Sequence, residues 1–266
     1  MIQEAQPVEG PRRPTRGILS AIRASLEVAA SVMVVGVCGA MLWSILRASP
    51  PGAARSSART ARAAKPSDAM LPADPIVLDG AQLQGSRTAR VAVVEYSDFQ
   101  CPYCGKFARE TLPEVERAFV KPGKVLFAFR QFPLESIHPF ALNAAETTEC
   151  AGRQGRFWQM HDLTFADQGH LDEITLHERA RAAGLNADLL DQCLQSSAAD
   201  VVRADAKTGT ALAVSATPTF FLGTLEADGR VRVIKRLSGA LPTAQFSAAL
   251  NALLAAAATT GAATPK

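Results

Sequence analysis

The chain carries few cysteines and histidines, and none at the spacing a structural zinc site needs. Its four histidines, His138, His161, His170 and His177, form no i, i+4 pair, and Cys38, Cys150 and Cys193 each stand alone. A structural zinc site takes four ligands, usually from two close pairs, so the single Cys101-Pro102-Tyr103-Cys104 motif has no second half. No metal and no other cofactor is expected. No internal repeat is visible. Positive charge is also scarce where a nucleic-acid binder would need it. Residues 1–74 hold 9 Lys/Arg against 5 Asp/Glu, whereas residues 75–266 hold 19 against 20. The formal net charge of +3 belongs to the N-terminal segment, and the remainder has no basic excess to attract a phosphate backbone.

One stretch lacks charge altogether. Val28 to Leu46 is 19 uncharged residues, and a helix of that length spans about 30 Å, the thickness of a bilayer's hydrocarbon core. Ala48-Ser49-Pro50-Pro51 is a poor cleavage site because prolines crowd it, which favours an uncleaved anchor over a removed signal peptide. Arg13, Arg16 and Arg23 precede the span and Arg47, Arg55 and Arg59 follow it, so charge leaves its orientation open. The chain therefore divides into an N-terminal segment 1–27, a transmembrane anchor 28–46 and a flexible linker 47–74 rich in Ala, Arg, Ser and Pro. A folded domain at 75–258 and a disordered tail at 259–266 complete the reading.

Periodicity outlines the domain. Ile76-Val77-Leu78 is a short first strand, and Ala89 to Tyr96 a central one. Phe107, Leu112, Val115 and Phe119 recur at helical spacing, with Pro113 bending that helix. Lys124 to Arg130 alternates like a strand, and residues 138–213 read as helical with breaks at Gly169 and Gly184. Pro218–Leu222 and Val231–Ile234 form a hairpin across Ala227-Asp228-Gly229, and Leu241–Ala256 a closing helix.

Cys101 and Cys104 sit where the central strand gives way to a helix. That context turns a common Cys-x-x-Cys into a redox motif, because unpaired N–H groups and the helix dipole stabilise the first sulfur as a thiolate. Pro102 suits the first helical position, where a missing N–H costs nothing. Cys101, nearer solvent and the helix end, is the sulfur to be attacked. Pro218 heads a second apolar run, as prolines at the first residue of a strand do. Strand alternation puts Val91, Val93 and Glu95 on one face of the central strand. Glu95 is then either a costly buried carboxyl or a strand-end acid turned to solvent.

Glu95-Tyr96-Ser97-Asp98-Phe99-Gln100 before the motif, Phe132-Pro133-Leu134, His138-Pro139, Phe157-Trp158 and Thr217-Pro218-Thr219-Phe220 occur in order over roughly residues 75–255. Together they resemble the DsbA-like branch of the thioredoxin superfamily, thiol–disulfide oxidoreductases of the bacterial cell envelope. The resemblance implies an α/β thioredoxin fold with a helical insert at about 138–213, and Cys101 and Cys104 as the catalytic dithiol. It implies a cis Thr217–Pro218 bond in a substrate-binding loop facing that dithiol, where an ordinary trans proline is the plain alternative. Pro102 and Tyr103 would tune the redox balance, and Glu95 would be a buried acid assisting proton transfer at Cys104. Asp98 reads as a loop or helix-entry residue, and His138 either faces the active site or starts a helix, the helix start being favoured. Cys150 and Cys193 are two buried cysteines or, as in some DsbA-like relatives, a structural disulfide of the insert.

Disulfide chemistry also sets the compartment. A DsbA-like dithiol works where disulfides persist, which puts the domain on the periplasmic side of the cytoplasmic membrane. The expected reaction is oxidation of cysteine pairs in unfolded or reduced secreted proteins. The expected partner is a membrane quinone-linked thiol oxidase that restores the disulfide. Pro-Tyr between the cysteines and Thr before Pro218 depart from the best-known DsbA pattern and also resemble periplasmic isomerases and sulfenic-acid reductases. A disulfide reductase or isomerase kept reduced by a membrane electron donor is therefore the alternative.

Overall fold

A computed structural model describes residues 71–261. The expected anchor at 28–46 and most of the linker lie outside the described residues. Among the described residues no helix is long and apolar enough to cross a membrane.

Two apolar runs form the centre of the sheet. Val91–Ser97 (β2) and Val125–Gln131 (β3) are buried along their whole length, because both of their faces are covered. They pair in parallel, Val91 opposite Val125 and Ser97 opposite Gln131, so the chain must cross over between them. Gln82–Gln84 (β1), Thr219–Leu225 (β4) and Val231–Ser238 (β5) add antiparallel partners in the order β1-β3-β2-β4-β5.

The crossover begins as α1 (Pro102–Glu110), continues as α2 (Leu112–Val115) and ends in a π-helical turn at Glu116–Val120. Pro113 brings no N–H to the helical ladder. The bend falls at Thr111, whose hydroxyl donates to the Leu241 carbonyl at 3.0 Å. Phe107, Leu112 and Val115 pack, with Phe246 and Leu250 of α8 (Thr243–Gly261), on the sheet face built by Val91, Val93, Phe127, Phe220 and Leu222. Ala92, Val94, Tyr96, Leu126 and Phe221 form the opposite face, under Ile76, Leu78 and Val214. This two-residue alternation is the pleat of the strands.

The insert between β3 and β4 is all helical: α3 (Ala141–Arg153), α4 (Phe157–Ala166), α5 (Glu173–Ala182), α6 (Ala187–Ser196) and α7 (Ala198–Ala211). Asp172 and Asn186 cap α5 and α6 by accepting from the Thr175 and Leu189 backbone N–H groups. A disulfide joins Cys150 of α3 to Cys193 of α6, with their Cα atoms 5.8 Å apart. The insert's apolar core runs through Phe157, Met160 and Phe165 to Phe99, Cys101 and Cys104.

Two elements differ from the sequence reading. Ile76-Val77-Leu78 forms no strand: Ile76 makes only an isolated bridge to Val231, through two 2.8 Å hydrogen bonds. A turn at Gly80 (φ +79°) follows at once, and the side chain of Arg130 takes the Val77 and Asp79 carbonyls. The first strand is instead Gln82–Gln84, whose edge pairing with β3 uses backbone groups rather than apolar side chains. The last helix also outruns its expected end, continuing through the Ala-rich stretch to Gly261, so residues 259–261 of the expected tail are helical.

Candidate active site

The C-terminal end of β2 delivers the chain into a tight turn before α1. Asp98 is fully buried there and its carboxylate organises the turn. Oδ1 accepts from the backbone N–H groups of Gln100 at 2.7 Å and Cys101 at 3.2 Å. Oδ2 accepts from the Leu134 N–H at 2.8 Å and pairs with His138 Nδ1 at 2.8 Å. An Asp that accepts from N–H groups two and three residues on forms a local turn in place of the strand. The strand therefore ends and Cys101 becomes the N-cap of α1, with Pro102 in the first turn.

The two sulfurs of this turn differ in every respect that governs reactivity. Cys101 is 5% exposed and Cys104 is sealed. Hydrogen bonding from the Cys104 thiol lowers the Cys101 thiol to about 5, against the penalty of partial burial. The Cys104 and Tyr103 N–H groups add to the lowering, as does the nearby Thr217 hydroxyl, which is buried and makes no hydrogen bond among the described residues. Cys104 is pushed well above its ordinary value of 9, first by burial and then by its hydrogen bond to Cys101 and repulsion from Cys101 and Glu95. The Asp98 N–H donates to Cys104 Sγ at 3.4 Å. Pro102 and Tyr103 are exposed between the two cysteines.

Across from the turn, the Thr217–Pro218 bond is cis and leads directly into β4. The Cys101 thiol donates to the Thr217 carbonyl at 3.4 Å, and the Pro218 carbonyl accepts from Gly239 N–H at 2.8 Å. Glu95 lies in β2 between Phe129 and Phe220 of the neighbouring strands. Burial raises its carboxyl to about 8, with the Ser97 hydroxyl opposing. Its Oε2 has no hydrogen-bond partner among the described residues, and neither has Ser97 Oγ. An acid so placed is neutral at pH 7 and holds a transferable proton in a dry site.

The structure thus brings Cys101, Cys104, Glu95, Thr217 and Pro218 together, and leaves the Cys150–Cys193 disulfide inside the insert. It adds two residues that the sequence reading gave no role at this site. Asp98 is one, and its Asp-x-x-Cys spacing is a turn signal that could have been read. Gln168, from the turn after α4, is the other: its Nε2 donates to the Phe99 and Cys101 carbonyls at 2.8 Å each. Nothing local in the sequence announces it, since it comes from 67 positions beyond Cys101. His138 stands in the turn leading into α3, as its Pro-flanked position suggests, yet its side chain reaches the site through Asp98.

Comparison with known proteins agrees with this architecture. A family model described as Thioredoxin matches residues 79–258. The crystal structure of alpha-DsbA1 from Wolbachia pipientis superposes with a TM-score of 0.62 at 22% identity, over 70% of this chain and 96% of that one. Oxidised BdbD from Bacillus subtilis gives 0.57 at 21% identity, over 69% and 98%. At these identities the likeness concerns the fold. In sequence, the chain is 36% identical over 225 residues to Na(+)/H(+) antiporter NhaA 1 of Salinispora arenicola, covering 83% of this chain and 33% of the antiporter. The chain therefore spans about a third of the length of that curated relative. The chain belongs to the thioredoxin family, and its fold is similar to that of alpha-DsbA1 and BdbD.

Proposed function

We propose that the domain oxidises cysteine pairs in secreted proteins on the outer side of the cytoplasmic membrane. The observation that carries the direction is the asymmetry of the two sulfurs, one thiol held near 5 and the other well above 9. Reduced, the pair is a thiolate at Cys101 and a thiol at Cys104 at neutral pH. Stabilisation of that thiolate exists only in the reduced state, so it draws electrons into the dithiol.

The geometry supports a two-step thiol–disulfide exchange. A substrate thiolate attacks Cys101 Sγ of the Cys101–Cys104 disulfide. That bond breaks as a substrate–Cys101 disulfide forms, and Cys104 leaves with the electron pair. Glu95, protonated at neutral pH because its carboxyl is held near 8, supplies the proton that Cys104 takes up. The substrate's second thiolate then attacks the substrate sulfur and expels Cys101 as the stabilised thiolate. Two electrons have passed from substrate to enzyme. A membrane quinone-linked thiol oxidase would remove them and restore the disulfide. The Thr217–Pro218 loop, facing Cys101, would hold an extended substrate peptide by its backbone.

A domain similar to this one makes up a third of a protein named as a Na(+)/H(+) antiporter, which supports work at a membrane. Residues 28–46 would provide the anchor, with the domain on the periplasmic side. The reduction potential, measured against glutathione, tests the direction. Oxidants of this chemistry lie at about −120 to −180 mV and reductants near −270 mV. A value in the first range is expected, and one near the second would assign a reductase role instead.

A further inference from the structure

Gln168 ties the helical insert to the turn that carries Cys101. Its Nε2 donates at 2.8 Å to the carbonyls on either side of Gln100, those of Phe99 and Cys101. Asp98 holds the N–H groups of Gln100 and Cys101 in the same turn. The backbone is therefore fixed from two directions, by a carboxylate of the sheet and by an amide of the insert. The Cys101 carbonyl also accepts the Gly105 N–H at 3.1 Å, the opening bond of α1, so Gln168 closes on the peptide that starts the helix.

The seat for this amide is built. Arg109 Nη1 donates to Gln168 Oε1 at 3.2 Å and to the Phe165 carbonyl at 2.5 Å, which orients the amide with its N–H groups toward the turn. Gly105 leaves the room. A Cβ there would come 1.9 Å from Gln168 Oε1 and 2.6 Å from Arg109 Nη1. Gly105 lies within α1 and outside the positive-φ positions, so its backbone angles do not call for glycine. A poor helix former in the first turns of the catalytic helix is accounted for by the space that Gln168 occupies.

We propose that Gln168 is a positioning residue through which the insert sets the reactivity of Cys101, with Gly105 and Arg109 forming its seat. Its two hydrogen bonds hold the turn so that Cys101 Sγ stays beside the Tyr103 and Cys104 N–H groups at the start of α1, which favour its thiolate. This rests on the thiol–disulfide reading above, but it concerns the thiol itself and holds whichever way electrons flow.

The test compares Gln168→Met, which keeps the length and removes the donors, with Gly105→Ala and with the double variant, all in the full-length chain. Two quantities are read: the Cys101 titration, from thiolate absorbance, and the equilibrium constant for exchange with glutathione. Each single variant should raise the Cys101 pKa and move the equilibrium toward the enzyme disulfide, on the order of tenfold for the loss of such hydrogen bonds. The double variant should match Gln168→Met, because the hydrogen bonds that the alanine would displace are already gone. Wild-type values in Gln168→Met, or effects of the two changes that add, would overturn the proposal. A reductase-like potential in the wild type, with these shifts intact, would overturn the oxidase reading and leave the positioning role standing.

Discussion

The Cys101 thiol lies 3.4 Å from the Thr217 carbonyl, joining two halves of the chain 116 positions apart. This contact places the reactive sulfur against the loop that leads into β4. The same threonine has its carbonyl facing the thiol and a buried hydroxyl, without a hydrogen bond among the described residues, near enough to favour the thiolate.

Removing that hydroxyl separates its two roles. Thr217→Val keeps the shape and the carbonyl, and should raise the Cys101 pKa from about 5 by up to about one unit. A thiolate titration by absorbance checks this, and an unchanged midpoint would leave the hydroxyl without a part in thiolate stabilisation.

The two cysteines should also fail differently. Cys101→Ala should abolish oxidation of reduced substrates. Cys104→Ala should trap substrate disulfides on Cys101, formed when the Cys101 thiolate attacks an oxidised substrate and expels one of its sulfurs, because Cys104 is not there to attack that bond and release it. Non-reducing electrophoresis and mass mapping of trapped species report which sulfur is captured, and capture through Cys104 would reverse the assigned roles.

Glu95 carries two pH signatures. Its carboxyl is raised from 4.5 to about 8 in the folded chain, by burial above all. Between those values the unfolded chain has lost the proton and the folded chain keeps it, so stability falls as pH rises, by up to about 1.4 kcal/mol per unit. Below about 4.5 both states are protonated and this dependence disappears. Glu95→Gln should flatten the stability profile over that window and raise stability near pH 8. It should also slow exchange at Cys104 while leaving the Cys101 titration little changed. Superimposable exchange profiles for the two proteins would remove the proton relay.

Much of this arrangement can be read from local sequence. Both central strands, a break in the crossover helix next to Pro113, the β4–β5 hairpin and the helical insert follow from periodicity and turn residues, and the Cys101–Cys104 pair from its position at the end of one strand. Glu95 stays open between burial and solvent until its strand is seen flanked by β3 and β4. Ile76-Val77-Leu78 misleads because burial alone satisfies an apolar triplet, with Ile76 and Leu78 inward and Val77 half exposed. Gln82–Gln84 escapes notice because an edge strand needs only its backbone. Gln168 escapes for a stronger reason. Its value comes entirely from two carbonyls of a distant turn and from the space left by Gly105, and such long-range fits leave no periodic trace.

The insert has its own tether. Breaking Cys150–Cys193, with a sequence separation of 43, by a double alanine change should cost roughly 4 kcal/mol through the larger freedom of the unfolded chain. Denaturant unfolding measures it. A loss under about 1 kcal/mol would mean that packing of the insert helices, rather than the crosslink, holds that unit.

The direction of electron flow is tested most directly by the redox state of Cys101 and Cys104 in the cell, trapped by acid quench and thiol alkylation. An oxidase awaiting substrate is held as the disulfide, so both cysteines of the wild-type chain should resist alkylation at steady state. A pair that is alkylated at both sulfurs would contradict the oxidase reading and assign the domain to disulfide reduction or isomerisation.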